Sequence, residues 1–137
     1  MTNLTQAIYF LLALVIAIDI HEFFHAWIAD RLGDPTARYM GRVSLNPLVH
    51  LDPLGSLMML FMALGGVGLG WGKPVPVNPS NLRQGPIVGE AIVSVCGPLS
   101  NLLTAAIVAI PLRLAMSGIL PSGMLGGSLG TFLIILF

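Results

Sequence analysis

The sequence predicts an α-helical, multi-pass integral membrane protein built around a metal motif. Three observations predict it. Of 137 residues, 55% are apolar and only 9% are charged, with a mean hydropathy of +0.90. A soluble domain carries about 25% charged residues, so this chain lacks the polar surface to stay dispersed in water. Two stretches, about 5–31 and 86–115, are apolar and long enough to cross ~30 Å of hydrocarbon. The first contains His21-Glu22-Phe23-Phe24-His25 near its end, and ionisable groups at that depth are costly unless they serve a function. The length allows one domain, 1–137. A formal net charge of zero offers nothing to nucleic acid. The single cysteine, Cys96, excludes an intrachain disulfide and a cysteine zinc cluster, and reads as a small packing residue.

Thr5 suits the N-cap of the first helix. No basic segment precedes the apolar run and no cleavage site follows it, so it reads as a retained transmembrane helix and not a signal peptide. Gly33 can take the left-handed cap and Pro35 blocks continuation. Asp19 points away from the His21/His25 stripe, so a partner on a neighbouring helix or a watery cavity is expected for it. From Ala37 to Leu45 polar and apolar residues roughly alternate, which predicts a short strand or hairpin at the membrane surface, ended by Asn46-Pro47. Such an edge could receive an extended peptide; an ordinary surface loop is an equal alternative.

The segment at about 54–70 is apolar, glycine-rich and short for a span. Arg31, Arg38 and Arg42 precede it, and Lys73 and Arg83 follow it. A crossing would divide these charges between the two sides, whereas a re-entrant hairpin keeps them together, as the positive-inside rule prefers. The prediction is therefore a re-entrant hairpin, a cytoplasmic loop 31–85 and an N-terminus outside the cell membrane. Trp71 to Arg83 is punctuated by proline and reads either as a rigid loop near the entrance of a site or as a plain connector. In the second long helix, Gly89, Ala91, Ser94, Gly97 and Ser100 permit close helix approach. Pro98 predicts a kink, and Asn101 needs a polar partner at its depth. A glycine-rich turn at 118–127 leads to a third apolar helix at 128–137, about half the length of a span.

The H-E-x-x-H motif carries the chemistry. Residues four apart on a helix share a face, so His21 and His25 can grip one zinc ion. Glu22, one step round, can reach a water on that ion, whose pKa the zinc lowers, and act as general base. A histidine in a helix is commonly a core residue, but three ionisable groups at this spacing in a membrane-length run favour the metal site.

The ordered blocks H-E-F-F-H-A (21–26), G-D-P-T-A-R (33–38), G-R-V-S-L-N-P-L-V-H-L-D-P-L-G (41–55), G-K-P-V-P-V-N-P (72–79) and G-P-L-S-N (97–101) resemble the prokaryotic site-2 protease family of intramembrane zinc metalloproteases. The resemblance implies hydrolysis of peptide bonds in or near transmembrane segments, with membrane-protein substrates and the lipid bilayer as partners. It makes His21 and His25 zinc ligands and Glu22 the catalytic base. Asn101 would line the site and help to polarise the scissile carbonyl. His50 and Asp52 would bracket the substrate entrance or order the embedded hairpin. The family's third ligand, an Asp in a later N-x-x-P-x-P-x-x-D-G block, has no match here, so the sequence reads as a protease core incomplete at its C-terminus. Asp52 is the one local substitute and a poor one. Two other functions compete. A non-catalytic module that captures membrane helices would explain the missing ligand. A zinc or solute carrier would need a continuous polar path, for which the helices offer few residues. Substrate identity and oligomeric state are not encoded in any motif found.

Overall fold

The structure, a computed structural model, describes residues 4–65, 67–117 and 127–136. Helix α1 spans Leu4–Arg31. At 1.5 Å per residue its 28 residues run about 42 Å. It ends where Gly33 adopts a φ of +111°. The amides of Gly33 and Asp34 fold back onto the carbonyls of Asp30 and Ala29, at 3.2 and 2.9 Å, a Schellman closure that requires a residue tolerant of left-handed backbone. Helix α5 spans Pro86–Met116 and packs mainly on α1. Helix α6, Ser128–Leu136, lies against both, with Tyr9 and Phe132 edge to face at 6.0 Å. Of the turn expected at 118–127, residues 118–126 lie outside the described residues, as does residue 137 at the end of the third helix.

Helices α1 and α5 are long and apolar enough to cross a membrane. Ile87, Val95, Leu102 and Ile107 of α5 point outward and uncovered. In water such a face would be strongly unfavourable; in hydrocarbon it is not. The protein is thus a membrane-associated helical protein, as the composition predicts.

The strand expected over 37–45 is not there, and no strand exists among the described residues. Thr36–Tyr39 forms a single helical turn, α2, and 40–46 is turn and irregular chain. The alternation is misleading because burial is inverted. Tyr39 is 83% exposed, whereas Arg42 is 5% exposed. Arg42 is held inside because its guanidinium donates to the carbonyls of Lys73 and of Pro74, the latter at 2.7 Å. The region obeys a different local code, Asx followed by Pro. Asp34 accepts from the Thr36 amide at 3.2 Å before α2. Asn46 accepts from Leu48 at 3.1 Å to start α3, Pro47–His50. Asp52 accepts from Gly55 at 2.8 Å to start α4, Pro53–Ala63. Asn78 accepts from Ser80 at 3.2 Å to start a 3-10 turn, Pro79–Asn81. In each case a short polar side chain satisfies an orphan amide and proline sits where no amide is needed.

The segment expected to be re-entrant is a helix of 11 residues, α4, followed by a turn at 64–65 and an irregular return at 67–71. The return lies close on α4: a Cβ at Gly70 would stand 3.3 Å from that of Met59. Its two ends meet. Leu51 and Gly72 form an isolated antiparallel bridge, and the Lys73 amide donates to the His50 carbonyl at 2.7 Å.

Asp34 ties this loop region to α1. It is fully buried and also accepts from the Thr36 hydroxyl at 2.5 Å, the Asn78 amide at 2.6 Å and the Asn81 side chain at 2.9 Å. Burial alone would raise its pKa, but these donors outweigh burial and hold it below the usual carboxylate value.

Candidate metal centre

The site forms where α5 crosses the C-terminal half of α1. The imidazoles of His21 and His25 lie one turn apart and edge to face, with ring centroids 4.6 Å apart and planes at 82°. Gly97 of α5 faces them directly. A Cβ there would stand 2.7 Å from His21 Nε2 and 2.6 Å from His25 Cε1. Both Nε2 atoms thus converge within 2.7 Å of a single point, and only a residue without a side chain lets α5 come this close. In sequence Gly97 opens the G-P-L-S-N block and is one of the five small residues noted above on α5, but neither feature marks it as the one facing the histidines.

The outer nitrogens have partners on α5. His25 Nδ1 lies 2.7 Å from the Val93 carbonyl, which can only accept, so His25 carries its proton on Nδ1 and leaves Nε2 free. The next carbonyl, that of Ser94, loses its helical partner because Pro98 has no amide hydrogen. His21 Nδ1 lies 3.4 Å from the Asn101 side-chain amide. Two imidazole Nε2 atoms on one face, each with its Nδ1 engaged, are the donor set and outer shell that suit zinc. Among the described residues no third His, Cys, Asp or Glu joins them.

Glu22 opens onto a cavity of about 330 Å³ shared with His25, Pro74, Val75, Glu90 and Ser94. The loop after Gly72 roofs it: a Cβ at Gly72 would stand 3.5 Å from Glu22 Cγ. The 71–83 stretch is therefore a wall of the site and not a plain connector. Glu90 also lines this cavity, although its sequence context carries no motif. A larger cavity, about 520 Å³, lies toward the other end of α1 among apolar residues such as Phe10, Met62 and Ile135; it has no group suited to chemistry.

The remaining sequence candidates separate. His50 and Asp52 do not line the Glu22 cavity. His50 is fully buried, with Nε2 2.8 Å from the Ser44 carbonyl and 3.8 Å from Asp19 Oδ1. Asp19 thus faces His50 of α3, while its Oδ1 has no hydrogen-bond partner among the described residues. Asp52 is spent on the cap of α4. Both order the hairpin.

No family model matches the chain, and no solved structure matches it. Among curated proteins it is 39% identical over 99 residues to "Putative zinc metalloprotease YwhC" of Bacillus subtilis, covering 72% of this chain and 42% of that protein. It is 35% identical over 96 residues to "Putative zinc metalloprotease Rip2" of Mycolicibacterium smegmatis, covering 68% of this chain and 35% of that protein. The Mycobacterium tuberculosis protein of the same name gives 35% over 102 residues, covering 73% and 38%. Together with the ordered motifs, these similarities place the chain in the site-2 protease family of zinc metalloproteases. The chain spans about two fifths of the length of the relatives it matches.

Proposed function

We propose that this chain forms the His-Glu-His half of an intramembrane zinc metalloprotease that cuts peptide bonds in or near transmembrane segments. The observation that carries the reading is the convergence of both Nε2 atoms opposite Gly97, with Glu22 on the adjoining cavity. Zinc bound there would polarise a carbonyl and make water acidic enough to deprotonate near neutral pH. His21 and His25 would hold it. Glu22 would take the proton from water and return it to the leaving amine. The roof of the cavity, Pro74 to Val77, is irregular chain and lacks two amide hydrogens, at Pro74 and Pro76. A helical substrate hides its carbonyls in hydrogen bonds, so a segment lying against this roof must be unwound first. Membrane-protein segments are the substrates and the bilayer is the medium, with loop 31–85 cytoplasmic, the N-terminus outside and α4 with its return dipping into the membrane. The meeting of Leu51 with Gly72 supports that topology, because a segment that leaves and returns to one place need not cross.

Glu22→Gln keeps the size of the side chain and removes the base. The expected result is loss of cleavage of a transmembrane reporter, at least a hundredfold, with zinc content unchanged in elemental analysis. Cleavage by Glu22→Gln at the parent rate would overturn the base assignment. One alternative is a non-catalytic module that binds membrane helices. It predicts a reporter captured and never cut, by the parent and by Glu22→Gln alike.

A further inference from the structure

Asn101 sits behind His21, away from the cavity that Glu22 opens onto. It lines a separate pocket of about 370 Å³ with Ala17 and Thr104. Its side-chain nitrogen is the atom placed 3.4 Å from His21 Nδ1, while its Oδ1 is buried with no hydrogen-bond partner among the described residues. With the amide turned this way, Asn101 donates, His21 Nδ1 accepts, and the ring proton moves to Nε2. That proton would occupy the atom that converges with His25 Nε2 opposite Gly97. A half turn about Cβ–Cγ exchanges the amide oxygen and nitrogen without changing the shape of the side chain. Oδ1 then accepts from His21 Nδ1–H, and the lone pair of His21 Nε2 faces the same point as that of His25. The Gly97 carbonyl, which accepts from the Ser100 hydroxyl at 2.6 Å, is the other acceptor near the His21 ring.

We propose that Asn101 is the positioning residue for His21: its Oδ1 accepts the Nδ1 proton and presents Nε2 to the metal, as the Val93 carbonyl does for His25. This rests on the zinc reading above, but its first test does not. The chain has three histidines, so a nitrogen-15 histidine spectrum of the metal-free protein in detergent is simple. It is taken at about pH 8.5, where imidazoles are neutral. The Val93 carbonyl puts the proton of His25 on Nδ1 and the Ser44 carbonyl puts that of His50 on Nε2. The proposal therefore expects two rings protonated at Nδ1 and one at Nε2, with His21→Gln removing one of the Nδ1 pair. One ring at Nδ1 and two at Nε2 would overturn it.

Zinc affinity by competition titration gives the second readout. Asn101→Asp retains an acceptor and no donor, and is expected to bind zinc within about threefold of the parent. Asn101→Ala is expected to bind 10–100-fold more weakly. An Asp variant as weak as the Ala variant, or an Ala variant as tight as the parent, counts against the role. If the parent gives the expected spectrum and takes no zinc, the hydrogen bond stands and the zinc reading falls. If Asn101→Ala fails to fold, the parent spectrum decides alone.

Discussion

Gly97 and Glu22 differ in how a single atom changes the site. Glu22 contributes a carboxylate to a cavity that its neighbours already shape. Gly97 contributes the absence of a side chain. Its replacement by alanine puts a methyl group against both imidazoles, and neither ring can retreat without leaving its partner on α5. The expected cost of that overpacking is about 1–3 kcal/mol, with loss of zinc from an otherwise folded protein. Thermal unfolding and zinc content of Gly97→Ala, measured together, check this; parent-level zinc binding would mean that α5 does not press on the histidines as described.

The short elements between α1 and α5 act as one clamp. Asp34 takes the Asn78 amide and the Asn81 side chain, Arg42 holds the carbonyls of Lys73 and Pro74, and the Lys73 amide holds that of His50. These bonds keep the roof over Glu22. Asp34→Ala removes the buried acceptor shared by Thr36, Asn78 and Asn81, with an expected loss of about 1–3 kcal/mol in all. Hydrogen exchange at 78–83 should rise in that variant, while the core of α5 keeps its protection. The pH dependence follows from the lowered pKa of Asp34. A carboxylate whose folded pKa is depressed stabilises the fold above its unfolded value, here 3.8, and that stability is lost as pH falls through the folded value. Protection of the 78–83 amides should therefore hold down to about pH 4 and fade below it, and an Asp34→Asn variant should lack this fading.

In the proposed topology α1 and α5 cross the bilayer, and α4 with its return enters and leaves from one side. The stack of Phe23 on Trp27, with Arg31 5.2 Å from the centre of the Trp27 ring, suits the end of α1 to a headgroup boundary on that side. In a Cys96→Ser background, single cysteines at Arg38 and at Ser80 are expected to react with an impermeant thiol reagent from the cytoplasmic face only. Labelling of the two positions from opposite faces would mean that α4 and its return cross the membrane, and would overturn the re-entrant topology.

The long helices were legible from composition and length, because hydrocarbon demands about 20 apolar residues and an internally bonded backbone. Their observed bounds, Leu4–Arg31 and Pro86–Met116, differ from the expected ones by one residue. The pairing of His21 with His25 was equally legible, since helical pitch places residues four apart on one face whatever surrounds them. The strand over 37–45 was misread because alternation reports burial only when one face is covered, and here Arg42 is drawn inward by two carbonyls more than 30 positions away. For His50 and Asp52 the same reasoning left two roles open, bracketing an entrance or ordering the hairpin. Each depends on which partner the fold brings within about 3 Å, and hydrogen bonds are too short-ranged for a linear pattern to reveal them. Local periodicity thus decided where the helices run and which side chains share a face, while the crossing of α5 over α1 decided which atoms meet.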